Sequence, residues 1–228
     1  IEGDEKYFKK LCKNFVSDEI IKLNKFVDFK GENSLDKILQ NTKIPTNFDF
    51  LSIDIDGCDY FILESLKLYR PKIICIEFNH LIPNEVEFVQ EKNFSIKQGT
   101  SALSLVNLAK SKNYLLVGCT ITNLFFIDKT FKNSVLGDSE IYLDKIRNDK
   151  KIKNIIFPGY DGSLHTTLPI DISWHKLKIH NKKFQILPFF LRKFPDDYNV
   201  VQKFLFLIFR EFLYPGRFIR KIINLFKK

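Results

Sequence analysis

Two nearly continuous apolar runs, "FDFLSIDI" (Phe48 to Ile55) and "PKIICIEF" (Pro71 to Phe78), limit this chain's fold more than any other feature, and the helix-patterned "CDYFILESLKLY" lies between them. A strand with one wet face alternates apolar and polar residues, whereas a strand apolar on both faces must be covered on both. Two such strands joined by a helix predict an α/β fold with a mostly parallel sheet. The flanking sequence extends it. "IEGD" reads as the tail of a strand, followed by an amphipathic helix carrying Tyr7, Phe8, Leu11 and Phe15, and "KLNKFVDF" (Lys22 to Phe29) has the content of another strand. "ENSLDKILQNT" (Glu32 to Thr42) is a short helix that Pro45 ends, and "SALSLVNLAKSKN" (Ser101 to Asn113) is a longer amphipathic one. "YLLVGCT" and "NLFFIDK" are close enough in sequence to form an antiparallel edge pair.

Past Phe131 the patterning weakens. Three regions follow: an α/β domain over 1–130, an irregular and helical extension over 131–199, and a basic amphipathic helical tail over 200–228, broken at Pro215-Gly216. The tail combines Phe204, Leu205, Leu207, Ile208, Phe212, Phe218, Ile222 and Phe226 with Arg210, Arg217, Arg220, Lys221, Lys227 and Lys228. Such a segment lies on an anionic membrane surface, or packs on its own domain or on a second subunit in a homo-oligomer.

A net charge of +9 speaks to association rather than fold, and a lysine-rich composition also arises from base composition alone. No RNP-like aromatic pattern or recognition helix accompanies it, so nucleic acid is not an expected partner. Cys12, Cys58, Cys75 and Cys119 form no C-x-x-C pair, which argues against a zinc knuckle or a disulfide framework. No apolar run is long enough to span a bilayer, and the expected location is the cytoplasm, at most the inner face of a membrane.

The chemistry concentrates at "SIDIDGCDY", where Asp54, Asp56 and Asp59 surround Gly57 at the carboxyl end of the first apolar run. In open parallel sheets ligands bind outside the carboxyl ends of the strands. Acids there need a ligand, a metal or a helix N-terminus, because an unpaired buried carboxylate costs several kcal/mol, roughly. Asp59 reads first as a helix cap. An EF-hand calcium loop fails on register: Gly57 directly follows Asp56, and the bidentate position counted from Asp54 falls on Ser65. A haloacid-dehalogenase-type phosphatase fits Asp54 and Asp56 but not Cys58, which stands where that motif wants Thr or Val. A D-x-D nucleotide-sugar transferase, holding Mn²⁺ or Mg²⁺ against a diphosphate, stays open.

Taken together, "IEGD", "FLSIDIDGCDY", "PKIICIEFN" and "YLLVGCTITNLFFIDK" follow the order of a Rossmann-like methyltransferase. From about Ile1 to Lys129 the chain resembles the FkbM-like class I S-adenosylmethionine-dependent methyltransferases, particularly bacterial members found among glycan biosynthesis genes. The resemblance implies an O-methyltransferase acting on a hydroxyl, of a sugar, with Glu2 accepting from the ribose hydroxyls and Gly3, Phe26 and Asp54 beside it as cofactor-binding residues. It also implies a first strand and glycine-rich turn upstream of Ile1. Asp54, Asp56 and His80 are then the candidate catalytic residues and Glu77, Asn79 and Gln98 the candidate substrate contacts. Asp54, Glu77 and Asn79 form the candidate Mg²⁺ or Mn²⁺ ligand set. The loop from Asn79 to Ser101 is long for an α/β connection and reads as a lid over a small-molecule or glycan substrate. A non-catalytic membrane-associated interaction module is the remaining alternative.

Overall fold

The structure, a computed structural model, describes residues 1–214 and Gly216 and divides into two units, Ile1–Ile152 and Lys153–Lys228. The division falls beyond the boundary at 130 expected from the sequence. In the first unit the helices are α1 (Glu5–Asn14), α2 (Leu35–Gln40), α3 (Asp59–Ser65), α4 (Ala102–Ser111), α5 (Lys132–Val135) and α6 (Leu143–Ile146). Its strands are β1 (Phe50–Ile53), β2 (Ile73–Glu77), β3 (Tyr114–Cys119) and β4 (Asn123–Asp128), in the sheet order β1-β2-β4-β3.

The sheet is mixed, where a mostly parallel one was expected. β1 and β2 are parallel, β4 runs antiparallel to β2, and β3 runs antiparallel to β4. The closing hairpin forms as read from the sequence, with its second strand inside and β3 at the edge. Of the two apolar runs, β2 is covered on both faces, with Ile74, Cys75 and Ile76 all buried, whereas β1 leaves Phe50 and Ser52 exposed. The core gathers Ile53, Ile62, Leu63, Ile74, Ile76, Leu105, Leu124 and Phe126 around these strands.

Local chemistry sets the helix ends. Asp4 caps α1 by accepting from Tyr7 N at 3.0 Å, and Ser101 caps α4 by accepting from Ser104 N at 3.2 Å. The helix expected to run on to Tyr69 stops at Ser65. The next backbone N–H groups, of Lys67, Leu68 and Tyr69, instead donate to the Asp36 carboxylate of α2 at 2.8, 3.1 and 3.3 Å. Lys22 to Phe29 is not a strand either. It makes isolated parallel bridges, Asn24 to Glu2 and Asp28 to Ser34, while the rings of Phe26 and Phe29 turn to Phe94. Between Gly137 and Asn154, where helix was expected, only Leu143–Ile146 is helical.

The second unit carries two short hairpins, β5 (Ile156–Pro158) with β6 (Leu164–Thr166) and β7 (Ile170–Ile172) with β8 (Leu177–Ile179), where an irregular and helical extension was expected. Gln185 ties β6 down, accepting from Leu164 N at 2.8 Å and donating to Leu164 O at 2.7 Å. The helix α7 (Val200–Leu213) begins with a capping box between Asn199 and Gln202. The tail residues Arg217, Phe218, Arg220, Lys221, Ile222, Phe226, Lys227 and Lys228 lie outside the described residues.

Candidate functional site: carboxylates at the sheet edge

The parallel register of β1 and β2 builds the site. Ile53 pairs with Ile76, so the next residues along, Asp54 and Glu77, leave the two strand ends side by side. Neighbouring strands run about 4.8 Å apart, which forces their carboxylates together. Asp56 joins them through the turn that follows. Its φ is +57°, a left-handed conformation that Asp tolerates, and Gly57 continues at +133°. Carboxylate oxygens of Asp54, Asp56 and Glu77 all lie within 4.8 Å of one another.

Asp59 supports the turn from beneath. Its carboxylate is almost fully buried and accepts from Ile55 N and Gly57 N, both at 3.0 Å. Burial pushes its carboxyl up, against the pull of those two N–H groups. Asp59 is thus a scaffold for the Asp56-Gly57 turn, and Cys58 holds the cap position of α3.

Glu77 carries the electrostatic consequence. Burial first, then the negative charges of Asp54, Asp59 and Asp56 and a side-chain hydrogen bond with Asp54, push its carboxyl from 4.5 up to about 7. A group that holds its proton more tightly folded than unfolded stabilises the fold most below 4.5, and that stability is lost as pH rises through about 7. Urea unfolding is therefore expected to show roughly 1–2 kcal/mol less stability at pH 8 than at pH 5, after discounting for solvent screening. Glu77→Gln should flatten that slope; an unchanged slope would contradict this electrostatic picture.

The long loop over 79–101 reaches the cluster. Lys97 Nζ stands 3.4 Å from Asp56 Oδ2, with both groups exposed. Gln90, 2% exposed, holds the loop's shape: its Oε1 accepts from Gln98 N at 2.9 Å and Gly99 N at 2.8 Å, and its Nε2 donates to Ile96 O at 2.7 Å and lies 3.2 Å from Cys58 Sγ. Phe94 stacks on Phe29 at 4.3 Å and meets Phe26 edge-on at 4.8 Å.

The other expected site residues have partners of their own. Asn79 uses its amide within the loop, donating to Gln98 O at 2.8 Å and accepting from Leu81 N at 3.0 Å. Gln98 meets it through its backbone, its side chain being exposed. His80 lines a cavity of about 450 Å³ with Cys119, Thr120, Ile121, Ile146, Arg147, Asn148 and Ile152. Arg147 closes one side of it, buried, with its guanidinium donating to His80 O at 2.7 Å and to Asn84 Oδ1 and lying over the Phe78 ring. Cys119 ends β3, which runs parallel to β2, so cavity and carboxylates share the carboxyl edge of the sheet.

Glu2 is not among the grouped carboxylates. It accepts from Asp4 N at 2.8 Å, and Gly3 backs onto Phe26, where an added Cβ would lie 3.4 Å from Phe26 Cα. Through Phe26 and Phe94 the loop that meets Asp56 also meets this neighbourhood. Gln90, Phe94, Lys97 and Arg147 escaped the reading of the sequence. The only signal for the first three was the loop's unusual length.

Three close carboxylates suit a hard divalent cation, which takes oxygen ligands at roughly 2.0–2.6 Å. Asp54, Asp56 and Glu77 would hold it, Asp56 joining the expected Asp54 and Glu77.

Residues 31–113 match the family model described as the methyltransferase FkbM domain. No curated protein and no solved structure matches the chain. The matched span runs from the turn before α2 to the residue before β3 and contains Asp54, Asp56, Glu77 and the whole loop; Glu2, Gly3 and Phe26 lie outside it. The chain is thus FkbM-like over this span, which points to a methyltransferase.

Proposed function

We propose that the chain acts in S-adenosylmethionine-dependent methyl transfer to a hydroxyl, of a sugar, with Asp54 as the group that takes the hydroxyl proton. The observation that carries this reading is the position of the Asp54, Asp56 and Glu77 carboxylates at the paired ends of β1 and β2, inside the span that matches the methyltransferase family. S-adenosylmethionine supplies an electrophilic methyl group. The protein must align an acceptor oxygen for in-line displacement and remove its proton. Asp54 is exposed at the cluster, free of the backbone duties that occupy Asp59 and of the Lys97 contact that Asp56 makes, so it is the carboxylate available to an incoming hydroxyl. Glu77, held partly protonated near neutral pH, donates a hydrogen bond and fixes the orientation of Asp54. A divalent cation, where bound, would polarise the acceptor oxygen. Thr120, Asn148 and His80 give the cavity on the same edge of the sheet the polar lining that a hydroxyl-rich acceptor needs.

The D-x-D transferase reading shares the same carboxylates, and one experiment separates the two. Calorimetric titration with S-adenosylhomocysteine, and separately with UDP plus Mn²⁺, should show heat of binding for the first. Binding of the second alone would overturn the proposal and favour the nucleotide-sugar transferase.

A further inference from the structure

The helix α7 is built the wrong way round for a water-soluble surface. At 100° per residue, Val201, Phe204, Ile208 and Phe212 fall on one stripe, and they are 64%, 64%, 54% and 79% exposed. Gln202, Phe206 and Arg210 lie on the opposite side and are half-buried, as is Phe209 between the two faces. That side holds the helix to its own unit: Gln202 Nε2 donates to Phe190 O at 2.8 Å, and Phe206 packs against Tyr198 at 5.6 Å. The apolar stripe is therefore turned to solvent, with Leu205 widening it on one side, while Glu211 bounds it beside Phe204 on the other, half-buried and ion-paired with Arg210 at 3.1 Å. A contiguous exposed apolar surface of this kind marks an interaction site.

Charge identifies what covers it. The sequence after Glu211 contains Arg217, Arg220, Lys221, Lys227 and Lys228 and no acid. A second copy of the chain carries the same positive charge, whereas an anionic bilayer answers both the apolar stripe and that charge. Among the described residues no helix is long and apolar enough to cross a membrane, so the helix would lie on the surface rather than span it.

We propose that the outer face of α7, from Val201 to Phe212, inserts into the headgroup region of an anionic membrane, to which the net positive charge of the sequence after it draws the chain. Insertion would reach about 5–10 Å, the depth of the headgroup and acyl boundary. This does not depend on the transfer chemistry.

Flotation of the full chain with vesicles tests it. Binding is expected with phosphatidylcholine vesicles containing about a third phosphatidylglycerol, weaker with phosphatidylcholine alone, and falling between about 0.05 and 0.5 M salt. Phe204→Asp with Ile208→Asp should raise the lipid concentration for half-binding by about tenfold or more, because each carries an exposed anchor into water. Far-UV circular dichroism should be unchanged, since both side chains are already outside the packed core. Replacing Arg217, Arg220 and Lys221 with Gln should reduce the salt dependence. Failure of the unmodified chain to float with anionic vesicles would overturn the proposal. So would equal flotation of the double variant, or a dimer in sedimentation that the double variant dissolves, which would make a second copy the occupant.

Discussion

Asp54→Asn is expected to lower methyl transfer by roughly 10²–10⁴-fold, the range typical of losing a positioned general base, with stability at pH 5 changed by less than about 0.5 kcal/mol. The side chain is exposed and keeps its size, so packing gives no reason for the protein to unfold. Its charge is the largest electrostatic contribution, after burial, to the raised carboxyl of Glu77, and removing it should bring Glu77 back toward 4.5. Two readouts follow from one substitution: kcat collapses, and the pH slope of stability shrinks as it does in Glu77→Gln. Affinity for S-adenosylhomocysteine should change little if Asp54 serves the acceptor rather than the cofactor. Were the carboxylate needed only as a cation ligand, saturating Mn²⁺ would restore kcat, and the role of proton acceptor would pass to another group. An Asp54→Asn protein with full activity would remove the site from the reaction altogether.

That this pair was legible in the sequence has a physical cause. Apolar runs on both sides of a helix commit two strands to parallel pairing, and parallel strands ending in acids must leave those acids adjacent. Asp54 and Glu77 therefore follow from pattern alone. Asp56 needed more, because only the left-handed turn at Asp56-Gly57 brings its carboxylate back. Lys22 to Phe29 shows where content misleads. Its rings pack on Phe94, a residue far along the chain, and the segment is left with isolated bridges. Asn79 was marked by its place at a strand end, yet the partner of its amide, the Gln98 carbonyl, is a distant contact that no local pattern encodes, as is the Arg147 guanidinium on the backbone carbonyl of His80. Local rules give strand ends and caps; they do not give the long-range partner that decides what a polar side chain is used for.

Gln90 shows the same limit and yields the largest expected loss of stability. Gln90→Leu keeps the volume but removes the acceptor for Gln98 N and Gly99 N and the donor to Ile96 O, all in a side chain that is 2% exposed. Buried groups left unpaired cost roughly 1–3 kcal/mol each, part of which water recovers as the loop loosens, so about 2–4 kcal/mol is expected in urea unfolding. Amide exchange at Gln98 and Gly99 should rise with it, since those N–H groups lose their partner. Gly57 couples to this position. A Cβ there would stand 2.8 Å from Gln90 Oε1 at a φ of +133°, so Gly57→Ala carries both backbone strain and a clash. In the background of Gln90→Ala the clash disappears while the strain remains. The double variant should then be more stable than the sum of the two single losses by roughly 0.5–3 kcal/mol, the range seen for residues in direct contact. Strict additivity would mean that the loop and the Asp56-Gly57 turn do not hold each other. The loop would then have no physical route from Gln90 to the carboxylates it overhangs.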